Sequence, residues 1–372
     1  MAPVSGFVRA GFEPVRGAFA ALFDEDLELG AGFAAIKDGD TLIDICGGWA
    51  DRGQTTAWTH ETLVPTYSTT KAIAAIVVAK LCDEGALSYD ARVADVWPEF
   101  GAAGKDAVTI GEALSHQAGV PGFVRPIDPA LWLDPPGLAR ALAGLEPLWP
   151  PGTASGYHPL TWGYLAAEIV RRASGRSLGA ILREDICAPR GIDFFIGLPD
   201  AEHGRCAEIA RPARMPDLGD MTPIKRAAFL EKWSAPDRGG AAWRRVEIPS
   251  ANGHGGALAT AQLYSFYAGD GAILGDRFVS REAHAAAIAP RIAGDDLVLP
   301  FNLDWRAGVL GNSNGYYGPN RDALGHSGWG GSCAFGDPTT GLSAAYVMNK
   351  QSHHLMGDPR AMRLIEALYA CL

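Results

Sequence analysis

Lysine is scarce in this 372-residue chain, with seven against 25 arginines, so each lysine carries unusual information. Positive charge as a whole is short as well. The formal net charge is -10, which argues against a nucleic-acid or anionic-membrane partner. Long hydrophobic runs are absent too. Arg9, Glu13 and Arg16 interrupt the amino terminus before any apolar stretch reaches signal-peptide length, and nothing approaches a membrane span. The expected location is therefore cytoplasmic. Cys46, Cys82, Cys187, Cys206, Cys333 and Cys371 form no Cys-x-x-Cys and no close Cys/His pairing. They read as buried free thiols in a reducing compartment. The nine histidines show no His-Glu-x-x-His, and the glycine-rich segments lack the Gly-x-Gly-x-x-Gly and Walker patterns. Neither a metal nor a cofactor is expected.

What the chain has is a composition that is 48% hydrophobic and 20% charged, enough for a large core. At this length two packed regions are expected. Val15, Phe19, Leu22 and Phe23 recur at helical spacing after Pro14. Gly32 to Ile36 and Thr41 to Cys46 flank Lys37-Asp38-Gly39-Asp40, the signal of a tight antiparallel hairpin. From Ser68 a run apolar on nearly every face predicts a central buried helix, stopped by Gly85. Residues 86–254 read as mainly helical, with segments at Ile110 to Ser115 and Thr161 to Ala173. Beyond them the pattern predicts a helix over 260–273, strands near 303–310, 323–327, 331–337 and 341–349, and a helix from Pro359 to Ala370. The expected fold class is α+β. An antiparallel sheet built from both termini (1–85 and 255–372) is flanked by helices, the helical region 86–254 is inserted, and the site lies between the two.

Three segments carry candidate chemistry. In Ser68-Thr69-Thr70-Lys71, positions i and i+3 share a helix face, so the hydroxyl and amine can meet. A free serine is a poor nucleophile, and a desolvated lysine can serve as its base. With seven lysines and 16 serines in 372 residues, chance alone supplies about 0.3 such matches, and a snorkelling helix-start lysine is the bland alternative. The apolar run after Lys71 raises the weight of the motif. Trp149-Pro150-Pro151-Gly152-Thr153-Ala154-Ser155-Gly156-Tyr157 is a rigid turn ending in a phenol, which taken alone reads as structural. Leu324-Gly325-His326-Ser327-Gly328-Trp329-Gly330-Gly331 is a glycine-rich strand that a ligand can approach closely, or else a bulge.

In this order and at these spacings the three segments resemble the serine β-lactamase and penicillin-binding-protein superfamily. The resemblance is closest to the class C β-lactamase-like esterases called family VIII carboxylesterases. Val64-Pro65-Thr66-Tyr67, the stretch Thr109 to Val120 and Gly163-Tyr164-Leu165 add to it. The resemblance implies a β-lactamase/transpeptidase-like fold, Ser68 as the acylated residue, Lys71 as its partner and Tyr157 as a proton shuttle. It also implies an oxyanion hole made by the Ser68 and Trp329 N–H groups, with His326-Ser327-Gly328 standing where β-lactamases have Lys-Thr-Gly. Pro159 replaces the Asn of Tyr-x-Asn, and His326 replaces the Lys. These departures imply a carboxylesterase acting on short acyl esters, with weak or absent β-lactam hydrolysis. Trp132, Trp149, Trp162, Trp305 and Trp329 are candidate pocket walls.

The rival readings are a β-lactamase or a D-amino-acid peptidase or amidase of the same superfamily, and a non-catalytic penicillin-recognising sensor. An α/β-hydrolase is disfavoured because Gly325-His326-Ser327-Gly328-Trp329 ends in Trp where a nucleophile elbow needs Gly. His254 is assigned a structural role in a turn, and His353-His354 a solvated loop. The roles of His158 and His326 stay open.

Overall fold

Asp38 and Gly39 both take positive φ, 51° and 89°, and fold strand Gly30–Lys37 back onto Asp40–Gly48. This is the hairpin that the Asp-Gly pair predicts. The computed structural model describes residues 4–234 and 238–372. Its main sheet has nine antiparallel strands in the order Val4–Val8, Asp40–Gly48, Gly30–Lys37, Leu342–Met348, Cys333–Asp337, Leu324–Ser327, Leu310–Gly311, Asn302–Trp305 and Ile292–Asp295. The two ends of the chain meet in its middle, where Phe33 faces Tyr346.

Alternation along the central strands feeds two cores. Ala34, Ile36, Ala345 and Val347 point to one, and Phe33, Ala35, Ala344 and Tyr346 to the other, as the two-residue period of a strand requires. Helices Glu13–Asp24 and Pro359–Tyr369 pack together over the second core. Helix Ala257–Ala268 covers the first. Behind it lies helix Thr70–Asp83, in contact also with Thr161–Ser174 and Arg281–Ile288. Its residues from Thr70 to Ala79 are all buried, which is why its sequence shows no polar face.

Residues 86–254 carry helices that include Ile110–Leu114, Pro135–Ala143 and Thr161–Ser174. They also carry strands Phe194–Ile196 and Gly253–Gly255, which join Val64–Pro65 in a small three-stranded sheet. His254 is thus the middle of a strand, opposite Pro65 and Phe195, not part of a turn. Close packing explains its glycine neighbours. A Cβ on Gly253 would stand 2.6 Å from Thr70 Oγ1, and one on Gly255 2.3 Å from Phe194.

Other boundaries shift for local reasons. The expected strand over 303–310 is two strands, because Gly308, at φ 81°, turns the chain between Trp305 and Leu310. The helix expected over 260–273 runs from Ala257 to Ala268 and gives way to Gly269, Asp270 at φ 46° and Gly271. Of the six cysteines, all free, Cys82, Cys206 and Cys371 are only partly buried. Among the described residues no helix is long and apolar enough to cross a membrane.

Candidate active site

Ser68 sits in the single 3-10 turn Tyr67–Thr69 that leads into helix Thr70–Asp83. Tyr67 before it is held at φ 48°, a left-handed conformation costing a bulky residue on the order of 1 kcal/mol or more. Contacts on both sides enforce it. Thr66 N–H donates to Gly253 O at 2.8 Å, and Tyr264 Oη to Thr69 O at 2.8 Å. Ser332 Oγ donates to Thr66 O at 2.8 Å and lies 3.1 Å from Thr69 Oγ1, tying the glycine-rich strand turn to the serine turn.

Lys71 is fully buried. Its Nζ lies 3.1 Å from Ser68 Oγ and 2.9 Å from Tyr157 Oη, and donates to Pro159 O at 2.8 Å and Ser250 O at 3.0 Å. No carboxylate pairs with it among the described residues. Burial alone therefore holds its amine well below the usual lysine range. A neutral amine has two hydrogens and one lone pair. The two carbonyls can only accept, so they take both hydrogens and leave the lone pair for the Ser68 hydroxyl.

Tyr157 Oη donates to Ser68 Oγ at 2.5 Å. Burial pushes this phenol above its ordinary value, so at neutral pH it keeps its proton. The ring stacks on Trp305 with centroids 5.7 Å apart and planes 7° off parallel. Buried Asp296 holds the backbone beneath it, with Oδ1 accepting N–H bonds from Tyr157, Val298 and Leu299 at 2.8, 3.0 and 2.9 Å.

His326 and Ser327 end strand Leu324–Ser327, and Gly328 turns toward the serine. A Cβ at Gly328 would fall 2.3 Å from Thr66 O, so only glycine lets this turn come so close. His326 Nδ1–H donates to Ser327 O at 2.8 Å, and its buried Nε2 has no partner among the described residues. Burial, aided by Lys71, brings its pKa down to about 3, so the ring is neutral. Trp329 stands 6.0 Å from Phe229, ring to ring.

Ser68, Tyr157, His326, Ser327 and Trp329 line one cavity of about 60 Å³, walled mainly by apolar groups such as Phe229 and Leu299. Of the five tryptophans expected there, Trp305 and Trp329 line it. Trp132, Trp149 and Trp162 do not; each is buried with its indole N–H on a backbone carbonyl. Trp243 lines it instead. His158 is structural: Nδ1–H donates to Gly156 O at 2.6 Å and Nε2 accepts from Val120 N at 3.1 Å. His353 and His354 are partly buried, with His353 Nε2 2.6 Å from an Arg214 nitrogen.

Sequence reasoning missed the carbonyls of Pro159 and Ser250, and Asp296. The two carbonyls act through the backbone and leave no side-chain signature. Asp296 is one of many acidic residues, and only the fold brings it under Tyr157.

The beta-lactamase family profile matches residues 19–368. The chain belongs to the beta-lactamase family. Within this family of serine hydrolases it is similar to a penicillin-binding protein homolog from Caulobacter crescentus, at 53% identity and TM-score 0.97 over 100% of both chains. It is also similar to a crystal structure of a family VIII carboxylesterase, at 41% identity and TM-score 0.92 over 100% of both chains. The esterase/beta-lactamase LipL of Mycobacterium tuberculosis is 32% identical over 365 residues, 93% of this chain and 83% of its own. The β-lactamase/transpeptidase-like fold and the family VIII kinship expected from the three motifs hold.

Proposed function

We propose that the protein is a serine carboxylesterase that hydrolyses short-chain acyl esters through an acyl-Ser68 intermediate, with weak or absent β-lactam turnover. The observation that carries it is the fully buried Lys71 Nζ, 3.1 Å from Ser68 Oγ with two carbonyls as acceptors, where burial holds the amine well below the usual lysine range. The family VIII carboxylesterase among its relatives supports the ester preference.

In this mechanism the ester carbonyl sits against the Ser68 and Trp329 N–H groups, which stabilise the oxyanion. As Ser68 Oγ bonds to the carbonyl carbon, its proton passes to Lys71. The resulting ammonium turns a hydrogen to Tyr157 Oη, 2.9 Å away, and Tyr157 delivers its own proton to the alkoxide as the ester C–O bond breaks. Water then attacks the acyl-enzyme. It gives its proton to the same relay, and Ser68 recovers one as the acid leaves. His326, uncharged and with its buried Nε2 unpartnered among the described residues, supplies no cation where β-lactamases have lysine.

A serine-reactive phosphonate followed by mass spectrometry tests the reading, alongside turnover of para-nitrophenyl acetate and butyrate, nitrocefin and D-amino-acid amides. One adduct at Ser68 with ester turnover is expected. An unmodified serine returns the sensor reading, and an amide or nitrocefin rate matching the ester rate returns the peptidase or β-lactamase.

A further inference from the structure

The cavity at Ser68 shares four wall residues, Tyr67, Phe229, Arg238 and Trp329, with a much larger neighbouring groove of about 1040 Å³. Against a net charge of -10 for the whole chain, this groove is lined by five cations, Arg52, Arg211, Lys232, Arg238 and Arg244. Its carboxylates are Glu208 and Glu231. Elsewhere the protein pairs its guanidinium groups closely, as Arg171 and Arg172 do with Glu168, or Arg360 with Glu28. None of the five groove cations has a carboxylate oxygen within 4.0 Å of its charged side-chain nitrogens among the described residues; Glu208 instead accepts the backbone N–H of Arg52 at 3.0 Å.

Arg238 is the one that reaches the chemistry. Its guanidinium lies 5.3 Å from the Trp329 ring centre and 5.9 Å from that of Tyr67, the two residues beside the serine and the expected oxyanion donor. It lines both the inner cavity and the groove. Burial, and behind it Arg211, pull its pKa below the ordinary arginine value. A half-buried guanidinium held against aromatic faces, with no carboxylate partner among the described residues, is a site for an incoming anion.

The shape of the two spaces assigns the ends of the substrate. A small apolar cavity suits an acyl group that must stay during deacylation. The open groove suits the alcohol, which can leave through it while water enters. Resting on the esterase reading above, we propose that the substrates are short apolar acyl esters of an alcohol or phenol that carries a carboxylate, and that Arg238, with Arg211 at the rim, binds that carboxylate. Charge selection thus comes from the leaving-group side of the site, and not from the position of His326.

Two measurements test it: kcat/KM for the butyrate esters of 4-hydroxybenzoate and of neutral 4-hydroxybenzamide, and calorimetric binding of free 4-hydroxybenzoate and 4-hydroxybenzamide to the Ser68→Ala protein. The anionic ester is expected to be favoured about tenfold, the size of one partly buried charge-assisted contact. The preference, seen mainly in KM, should shrink with added salt. Arg238→Gln should collapse the ratio, Arg238→Lys should restore part of it, and Arg211→Glu, on the exposed rim, should lower it. Equal loss on both esters in Arg238→Gln would mean a packing role and overturns the proposal. So does ester turnover with no charge preference, which leaves the esterase reading standing. Absence of ester turnover together with Arg238-dependent binding of 4-hydroxybenzoate supports the anion site and removes the esterase reading instead.

Discussion

Asp296 Oδ1 accepts the backbone N–H of Tyr157 at 2.8 Å while Oδ2 lies 3.3 Å from the indole N–H of Trp305, the ring on which Tyr157 stacks. One carboxylate therefore fixes both the backbone and the ring plane of the phenol beside Ser68. Asp296→Ala leaves these donors and the N–H groups of Val298 and Leu299 buried without an acceptor. It should destabilise the protein by on the order of 3 kcal/mol and lower kcat. Asp296→Asn, which keeps one acceptor oxygen, should recover part of both. Thermal unfolding and ester turnover of the two variants check this; an Ala variant with wild-type melting and rate would strip Asp296 of the role.

Tyr157→Phe removes one hydroxyl and leaves the stack on Trp305. If the phenol returns the proton to the leaving alkoxide, kcat should fall by at least about a hundredfold with little change in melting temperature. The loss should be smaller for a para-nitrophenyl ester than for an ethyl ester, because nitrophenolate leaves without protonation. Equal losses on the two esters would assign Tyr157 to positioning Ser68.

The neutral state of His326, with a pKa near 3, bears on β-lactams. No ammonium meets a β-lactam carboxylate at the strand. Para-nitrophenyl butyrate should exceed nitrocefin in kcat/KM by at least about tenfold. Comparable efficiencies would sink the ester preference.

Much of this site was legible because its side chains follow local rules. Ser68 and Lys71 meet through helical spacing, and the Asp38-Gly39 turn encodes its hairpin. What stayed hidden is carried by backbone or by long-range packing. Strand Val4–Val8 buries little, and Phe7 is 51% exposed, so it shows no alternation. Strand Ile292–Asp295 is a short edge of the same kind. Pro159 reads in sequence as the loss of an asparagine, yet its carbonyl takes a Lys71 hydrogen. The groove cations are scattered from Arg52 to Arg244, and only the fold gathers them.

The base itself gives the sharpest test. Ser68 can lose its proton to Lys71 only while the amine is neutral. Burial without a carboxylate partner holds that amine well below the usual lysine range near 10.5. Since the protonated form is the inactive one, activity should be low in acid and rise with pH through an apparent pKa well below a free lysine's. That pKa belongs to the coupled Lys71–Tyr157 pair, whose polar atoms are 2.9 Å apart. His326 and His158, already neutral above about pH 3, add no limb near neutrality. Lys71→Arg keeps its proton at any working pH, so turnover should drop at least about a hundredfold and show no rising limb. The measurement is hydrolysis of one ester across pH in both proteins. Substantial activity in the arginine variant would mean that Lys71 only places charge, and that Tyr157 or His326 takes the serine proton.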